Sequence, residues 1–409
     1  MKAYRKKILF ISDNFPPETN AAASRVYERA VYWKNWNIDF QILTSFPNRY
    51  QGKSHPGYAN SLYKRDLYRN INTIRVKTFV SARPSIIFRT LHQLSFMITS
   101  FIGGLFEKKI NVVIVTTPQF FCSISGLLLS KIKRVPIILE IADIWSDAIK
   151  GTLISSGFFF QIIRSFETFI YNKSDALVVL TKGFKEEIIK RGIDKSKIYV
   201  IRNGVNKMSN FNSEDSETLK NKLNLNNKKI IGYMGAHGYA QDLENVIKAA
   251  KILEDANPNI VFLFLGDGDE KTKLKKLSKG SKNILFLKAV SKAEIPNYLS
   301  LFTIGLTHLK NEKLFENTIP SKIFEMMSAG LPILLVSPKG EASDIVLDND
   351  VGIWVPAGNP SLLAEEISNL LEFDDDLLKF SKNSLNKSSL FKRDRQAKEM
   401  LKVVDIILN

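Results

Sequence analysis

The chain has 409 residues, 44% hydrophobic and 24% charged, a globular rather than disordered composition with length for two or three domains. Its net charge of +17 is uneven: residues 1–208 carry 32 Lys and Arg against 14 Asp and Glu, and residues 209–409 carry 26 against 27. A basic half attracts nucleic acid, anionic lipid or a phosphorylated substrate, or simply keeps a solvated face soluble.

The single cysteine, Cys122, excludes an internal disulfide and fits a reducing compartment. The opening MKAYRKKILFISDNF has too few apolar residues before Asp13 for a signal peptide, so a cytosolic protein is expected. Residues 7–11 predict a strand, followed by the loop SDNFPPETNAAASRV and a helix from about Ala21. Small residues Ala21, Ala22 and Ala23 at a helix start let a ligand approach free backbone N–H groups, and Arg25 offers a bidentate contact to phosphate. Helix propensity alone also explains the alanines.

Strands are predicted at 40–44, 112–116, 136–140, 176–180 and 198–201. Two stretches mimic membrane spans. Residues 84–106 contain Arg89, His92 and Gln93, and residues 110–130 break at Thr116-Thr117-Pro118 into a strand and an amphipathic helix, so no crossing is expected. In LEIADIWSDAIKG, Asp143 follows an apolar strand, placed to hydrogen-bond a sugar hydroxyl or to cap a helix.

After Asn203-Gly204 the polar stretch SNFNSEDSETLKNKLNLNN marks a boundary. The expected division is a first domain at 1–205, a linker at 206–228 and a second domain at 229–384, with a helix near 385–409 returning to the first. Strands resume at 229–234, 261–265, 284–287, 304–307, 333–336 and 352–355. Strands separated by helical patterns predict an α/β fold of two doubly wound parallel sheets, with ligands at the carboxyl ends of strands.

Three turns of the second domain stand out. In YMGAHGYAQDL, Gly235 and Gly238 bracket a turn that lets a diphosphate approach the backbone, although ordinary turns use the same residues. In FLGDGDEKTKL, Gly266 and Gly268 shape another. In ENTIPSKIFEMMSAGLPIL, Pro320 suits the first helical position, Ser321 and Lys322 fall in the first turn, and Glu325 lies one turn on. A cation there opposes the helix dipole by ~0.3–1 kcal/mol, a conflict that a bound anion removes. Glu325 is placed to accept from diol hydroxyls. A surface lysine beside an ion-paired glutamate is the plainer alternative.

The order FPPE…R, D-x-W, NGV, a glycine turn, GDG, PSK-x-x-E and AG-x-P resembles the family 4 glycosyltransferases of GT-B fold, from Ile8 to about Leu370. The likeness is strongest to bacterial amino-sugar transferases of O-antigen and capsule assembly, of the N-acetyl-fucosamine type. It implies a retaining transferase that needs neither cofactor nor metal. Four His and one Cys offer no metal cluster, while a carboxylate-held Mg²⁺ is compatible.

By this resemblance the second domain holds a nucleotide sugar, taken as UDP-linked, through Gly235, His237, Gly238, Gly266, Gly268, Val290, Asn317, Ile319, Pro320, Ser321, Lys322, Glu325 and Glu341. Asp143, Lys322 and Glu325 form the implied catalytic set, and Glu18, Ala22 and Arg25 the acceptor side. Of the family's E-x7-E pair, Glu325 matches the second acid; Asn317 stands at the first, with Glu316 one position off register. His237 and Gln241 replace the usual Arg and Lys near the glycine turn, so Lys322 is assigned the displaced charge.

Residues 64–109 carry nine Lys and Arg against two acids, amid Phe79, Ile86, Ile87, Phe88 and Phe96. Such a surface is expected to lie on the anionic inner leaflet of the plasma membrane and reach a polyprenyl-diphosphate-linked acceptor, with residues 157–163 as a second contact. Buried helices with ordinary core aromatics would read alike. Three rivals are a sugar-nucleotide epimerase of the same architecture, a nucleic-acid-binding module and a dehydrogenase. No nucleic-acid-binding signature or G-x-G-x-x-G turn supports the last two.

Overall fold

Twelve short apolar runs in the sequence become twelve parallel strands, and a hairpin adds two more. The computed structural model describes residues 4–18, 20–48, 55–81, 86–117, 120–148, 157–206 and 213–409. They form two compact units, Met1–Asn203 with Arg393–Asn409, and Gly204–Lys392.

In the first unit the strands are β1 (Tyr4–Ile11), β2 (Ile38–Ser45), β3 (Tyr63–Tyr68), β4 (Ile71–Val76), β5 (Val112–Thr116), β6 (Ile137–Ile141), β7 (Ala176–Val179) and β8 (Ile198–Val200). Their order is β3-β4-β2-β1-β5-β6-β7-β8, parallel except for β3 against β4. VVIVT and IILEI are buried at every position, as expected where helices cover both faces of a sheet. The helices are α1 (Ala21–Asn35), α2 (Ile86–Leu105), α3 (Phe121–Lys133), α4 (Trp145–Ala148), α5 (Phe158–Lys173) and α6 (Lys182–Lys190).

The second unit contains α7 (Ser213–Lys222), β9 (Lys229–Met234), α8 (Leu243–Ala256), β10 (Ile260–Leu265), α9 (Lys271–Leu277), β11 (Ile284–Leu287), α10 (Ile295–Leu299) and β12 (Ile304–His308). It continues with α11 (Lys322–Ser328), β13 (Ile333–Ser337), α12 (Glu341–Asp348), β14 (Gly352–Pro356), α13 (Pro360–Glu372) and α14 (Asp374–Ser388). The sheet order is β11-β10-β9-β12-β13-β14, all parallel. The order reverses between β9 and β12, as it does between β1 and β5 in the first unit. Crevices outside such reversals are where doubly wound sheets bind ligands.

Two elements escape the sequence pattern. The β3–β4 hairpin hides because β3 (YKRDLY) is a polar edge strand, closed by Arg69-Asn70 with φ of 47° and 67° in a two-residue turn. The stretch expected as a linker holds α7, and Leu219, Leu223 and buried Leu225 pack into the second unit's core beside Leu299. Residues 207–212 of that stretch lie outside the described residues.

The chain returns to the first unit at Arg393 rather than near 385. Helix α15 (Arg393–Leu408) buries Ala397, Met400 and Val404 beside Trp33 and Ala30 of α1. The Trp33 indole donates to the Ala397 carbonyl at 3.1 Å. The uncharged stretch 110–130 divides into β5 and α3, with 118–119 outside the described residues. No helix among the described residues is long and apolar enough to cross a membrane.

Candidate functional site

Four loops meet at the carboxyl end of the second sheet. The turn after β9 and the turn after β10 pack backbone to backbone. Gly235 N donates to the Leu265 carbonyl at 2.9 Å, and His237 N to the Asp267 carbonyl at 2.9 Å. A Cβ on Gly266 would stand 1.9 Å from the Gly235 oxygen, and one on Gly268 would stand 2.4 Å from the His237 oxygen. The glycines of GDG therefore permit contact between turns. Lys271, first residue of α9, ties the same edge by donating to the carbonyls of Gly266 and Leu287.

His237 is fully buried among the rings of Tyr233, Phe264 and Phe286. Burial, helped by the nearby Lys271 charge, pushes its pKa down to about 4, so it is neutral at physiological pH. Neither of its ring nitrogens has a hydrogen-bond partner among the described residues. Gly238 precedes a short 3₁₀ turn (Tyr239–Gln241), and the helix behind it starts only at Leu243.

The loop after β12 runs to α11. The sequence reading placed Pro320 at the first helical position; the helix starts instead at Lys322, with Ser321 before it. The carbonyls of Pro320 and Ser321 accept the first two turn bonds, from Ile323 and Phe324, both at 3.1 Å. Ile323, Phe324, Met326 and Met327 are buried, which leaves Lys322 and Glu325 half-buried on the opposite side.

The Lys322 ammonium sits 3.9 Å from the centre of the Tyr233 ring. It also lies 2.8 Å from where a Cβ on Gly235 would stand. Among the described residues it has no ion-pair partner. Burial lowers its pKa to about 7, with the Glu325 charge pulling weakly the other way.

Glu316 crosses the start of α12, with Asn317 next in the chain. A Cβ on Gly340 would stand 2.0 Å from the Glu316 oxygen, so this glycine lets the loop lie against the helix that begins with Glu341. Ile319 and Val290 pack in the same apolar cluster, beside Trp354. Gly235, Val290, Asn317 and Ile319 thus lie on loops at the carboxyl end of one sheet, and Lys322, Glu325 and Glu341 in the first turns of the helices that follow.

In the first unit, Arg25 differs from its expected role. It is only 4% exposed, and its guanidinium donates to Thr116 Oγ1 at 3.1 Å and the Thr117 carbonyl at 3.4 Å. It also faces Glu140, which pairs with Arg29. Burial disfavours the Glu140 charge, but the two arginines hold its pKa down at about 2. Arg25 therefore braces the ends of β5 and β6, and it is not free to clamp a phosphate.

Helix α1 begins at Ala21, and the Asn20 side chain accepts from Ala23 N at 2.8 Å, leaving Ala22 half-buried in the first turn. Glu18, just upstream, has its carboxyl raised to about 8 by burial and by the neighbouring Asp13 charge. Asp143 is exposed beyond β6.

Sequence reasoning missed what holds the D-x-W turn. Buried Glu167 of α5 accepts from Trp145 N (2.8 Å), Ser146 Oγ (2.6 Å), Tyr171 OH (2.8 Å) and Arg191 (2.7 Å). Trp145 stacks on Phe120 at 4.8 Å. An isolated glutamate inside the apolar run FFFQIIRSFETFI was the available signal.

Of the residues expected on a membrane surface, Phe96 is buried in the core, whereas Ile87 and Phe79, which stacks on Phe88 at 5.9 Å, are exposed. Exposed apolar residues line three helices: Ile87 (66% exposed), Leu91, Ile98 and Ile102 on α2, Leu128 and Ile132 on α3, and Phe158 (77%), Ile162, Phe166 and Phe169 on α5. The side chains of Ile86 and Phe159 lie outside the described residues.

Residues 22–207 match the family described as Glycosyltransferase Family 4, and residues 215–387 match Glycosyl transferases group 1. The putative colanic acid biosynthesis glycosyl transferase WcaI of Escherichia coli is 27% identical over 338 residues, covering 79% of this chain and 81% of that protein. The putative teichuronic acid biosynthesis glycosyltransferase TuaH of Bacillus subtilis is 24% identical over 207 residues, 48% of this chain and 49% of its own length.

Among solved structures, Anabaena HepE in complex with UDP-glucose superposes with a TM-score of 0.72 at 15% identity, over 98% of this chain and 99% of that one. Sucrose-phosphate synthase from Thermosynechococcus elongatus gives 0.77 at 15% identity over the same shares. These likenesses show the fold. With one family match on each unit and the two together spanning most of the sequence, the chain belongs to the glycosyltransferases of GT-B fold that join a family 4 domain to a group 1 domain.

Proposed function

We propose that the second unit binds a UDP-activated sugar, an N-acetylated amino sugar, and that the enzyme transfers it with retention of configuration to a lipid-linked glycan in bacterial O-antigen or capsule synthesis. The observation that carries this reading is Lys322, a half-buried cation without an ion-pair partner among the described residues, set against the glycine turn after β9. A diphosphate there gains the ammonium and relieves its burial. Solved neighbours bound to UDP and UDP-glucose support the nucleotide, and relatives named for colanic and teichuronic acid synthesis support the pathway class.

The roles follow from position. Lys322 stabilises charge on the departing diphosphate, which in such transfers is the main protein contribution. Glu325, one turn on, accepts from the ribose diol, and backbone near Val290 reads the base. Asn317, Glu316 and Glu341 address the sugar, and Asp143, Glu18 and Ala22 the acceptor. The apolar stripes of α2, α3 and α5, on a unit rich in Lys and Arg, suit peripheral attachment to the anionic inner face of the plasma membrane.

Thermal unfolding with UDP, UDP-N-acetylglucosamine, GDP-mannose and NAD tests the reading. A ligand at a hundred times its Kd stabilises by about 2.7 kcal/mol. The UDP compounds are expected to raise the melting temperature and the others to leave it unchanged. Stabilisation by NAD alone, or by none of the four, contradicts the proposal.

A further inference from the structure

We propose that Asp13 and Glu18 form a subsite at the carboxyl end of the first sheet that takes the neutral hydroxyl groups of a sugar ring, not a phosphate. The inference rests on the reading of the chain as a sugar transferase with its acceptor on this unit.

Asp13 stands two residues beyond the end of β1, at the reversal of strand order, and is 4% exposed. One carboxylate oxygen, Oδ2, lies 2.8 Å from His92 Nε2; the other, Oδ1, is buried with no partner among the described residues. Glu18 repeats the pattern. Its Oε1 accepts a long bond from Asn48 N at 3.4 Å, and its Oε2 is buried without a partner. Two buried carboxyl oxygens left without partners at one strand end are a deficit that a ligand or solvent must fill.

The charge state selects the ligand. His92 Nδ1 lies 2.9 Å from the Phe79 carbonyl while Nε2 faces Asp13. A carbonyl and a carboxylate only accept, so both ring nitrogens donate and the ring is an imidazolium. Burial works against that charge, but Asp13 and the bonds it makes raise the pKa to about 9. His92 neutralises Asp13, and Glu18, raised to about 8, is uncharged at pH 7. Arg75, which also acts on Glu18, is spent on Asp66 and on the carbonyls of Ser45 and Pro16. Among the described residues no cation at this point is left for a phosphate. A hydroxyl that donates to Asp13 and accepts from a protonated Glu18 satisfies both groups.

Saturation-transfer NMR on the full chain, with and without UDP, tests this. The probes are methyl α- and β-hexopyranosides, including the N-acetylglucosaminides, and glucose 6-phosphate. At least one neutral glycoside is expected to bind, and glucose 6-phosphate about tenfold more weakly. Asp13→Ala and Glu18→Ala should each weaken the neutral glycoside about tenfold, the worth of one good hydrogen bond to a buried partner. Glu18→Gln, neutral and able to donate and accept, should retain binding, which a merely structural role would not single out.

The subsite is overturned if glucose 6-phosphate binds more tightly than the neutral probes, if no neutral glycoside binds, or if the alanine variants bind like the wild type. Should Asp13→Ala unfold, the Glu18 pair decides alone. UDP binding, measured in parallel, is expected to be unchanged by these variants. Its absence from the wild type would sink the transferase reading, and the glycoside result would still judge the subsite.

Discussion

The Lys322 ammonium rests 3.9 Å above the Tyr233 ring, an aromatic contact where an ion pair would be usual. The Tyr233 hydroxyl is itself engaged, donating to the Ala236 carbonyl at 2.6 Å, so the ring is held as a fixed platform. A cation–π contact offsets part of the burial cost of an ammonium, by about 0.5–2 kcal/mol. It leaves the charge available to an incoming anion.

If Lys322 meets the diphosphate as proposed, that arrangement predicts pH-dependent UDP binding. With a pKa lowered to about 7, Lys322 is charged below pH 7 and increasingly neutral above it in the empty protein. A diphosphate favours the charged form, so binding between pH 7 and 9 takes up a proton, and UDP affinity falls as pH rises through that window. The nucleotide's own terminal phosphate, with its second pKa near ~6, is already ionised there. His237, held near 4, stays neutral throughout. Calorimetry of UDP binding at pH 8 in buffers of different ionisation enthalpy should show proton uptake.

The two glycine turns make a separate prediction. At Gly266 φ is 146°, and a Cβ would meet the Gly235 oxygen at 1.9 Å, so no side-chain movement relieves the clash. Gly266→Ala is expected to destabilise by about 1–3 kcal/mol through backbone strain and to weaken UDP by shifting Gly235. Urea unfolding and UDP titration of the same variant measure both effects.

The strand pattern and the existence of the PSK helix were legible because unbroken β-branched runs and a Pro-Ser-Lys turn are local signals, whereas its first residue, Lys322 rather than Pro320, was not. The β3–β4 hairpin was not, since a polar edge strand lacks the apolar run. Arg25 looked available because nothing local reveals that Thr116, Thr117 and Glu140 converge on it. Asp13 and His92, and the Glu167–Arg191 network, were invisible for the same reason: their partners meet only when distant elements pack.

Membrane attachment predicts a salt-sensitive and an apolar component. Vesicles of phosphatidylcholine with about 30% phosphatidylglycerol should float the protein at low salt, less so in pure phosphatidylcholine or at high salt, because anionic lipid contributes ~1 kcal/mol per nearby Lys or Arg. Ile98→Glu with Ile132→Glu, both at exposed positions, should abolish flotation without changing the melting temperature. Equal flotation of the double variant would rule out these stripes as the contact.

The central claim is that Lys322 holds the donor diphosphate. Its direct test is UDP affinity of wild type and Lys322→Ala at pH 7 by isothermal titration, with uridine as the phosphate-free control. The account predicts that the variant loses about tenfold or more in UDP affinity, one charge-assisted hydrogen bond at 1.5–3 kcal/mol, while uridine binds both proteins alike. Equal UDP affinity in the two proteins would contradict it.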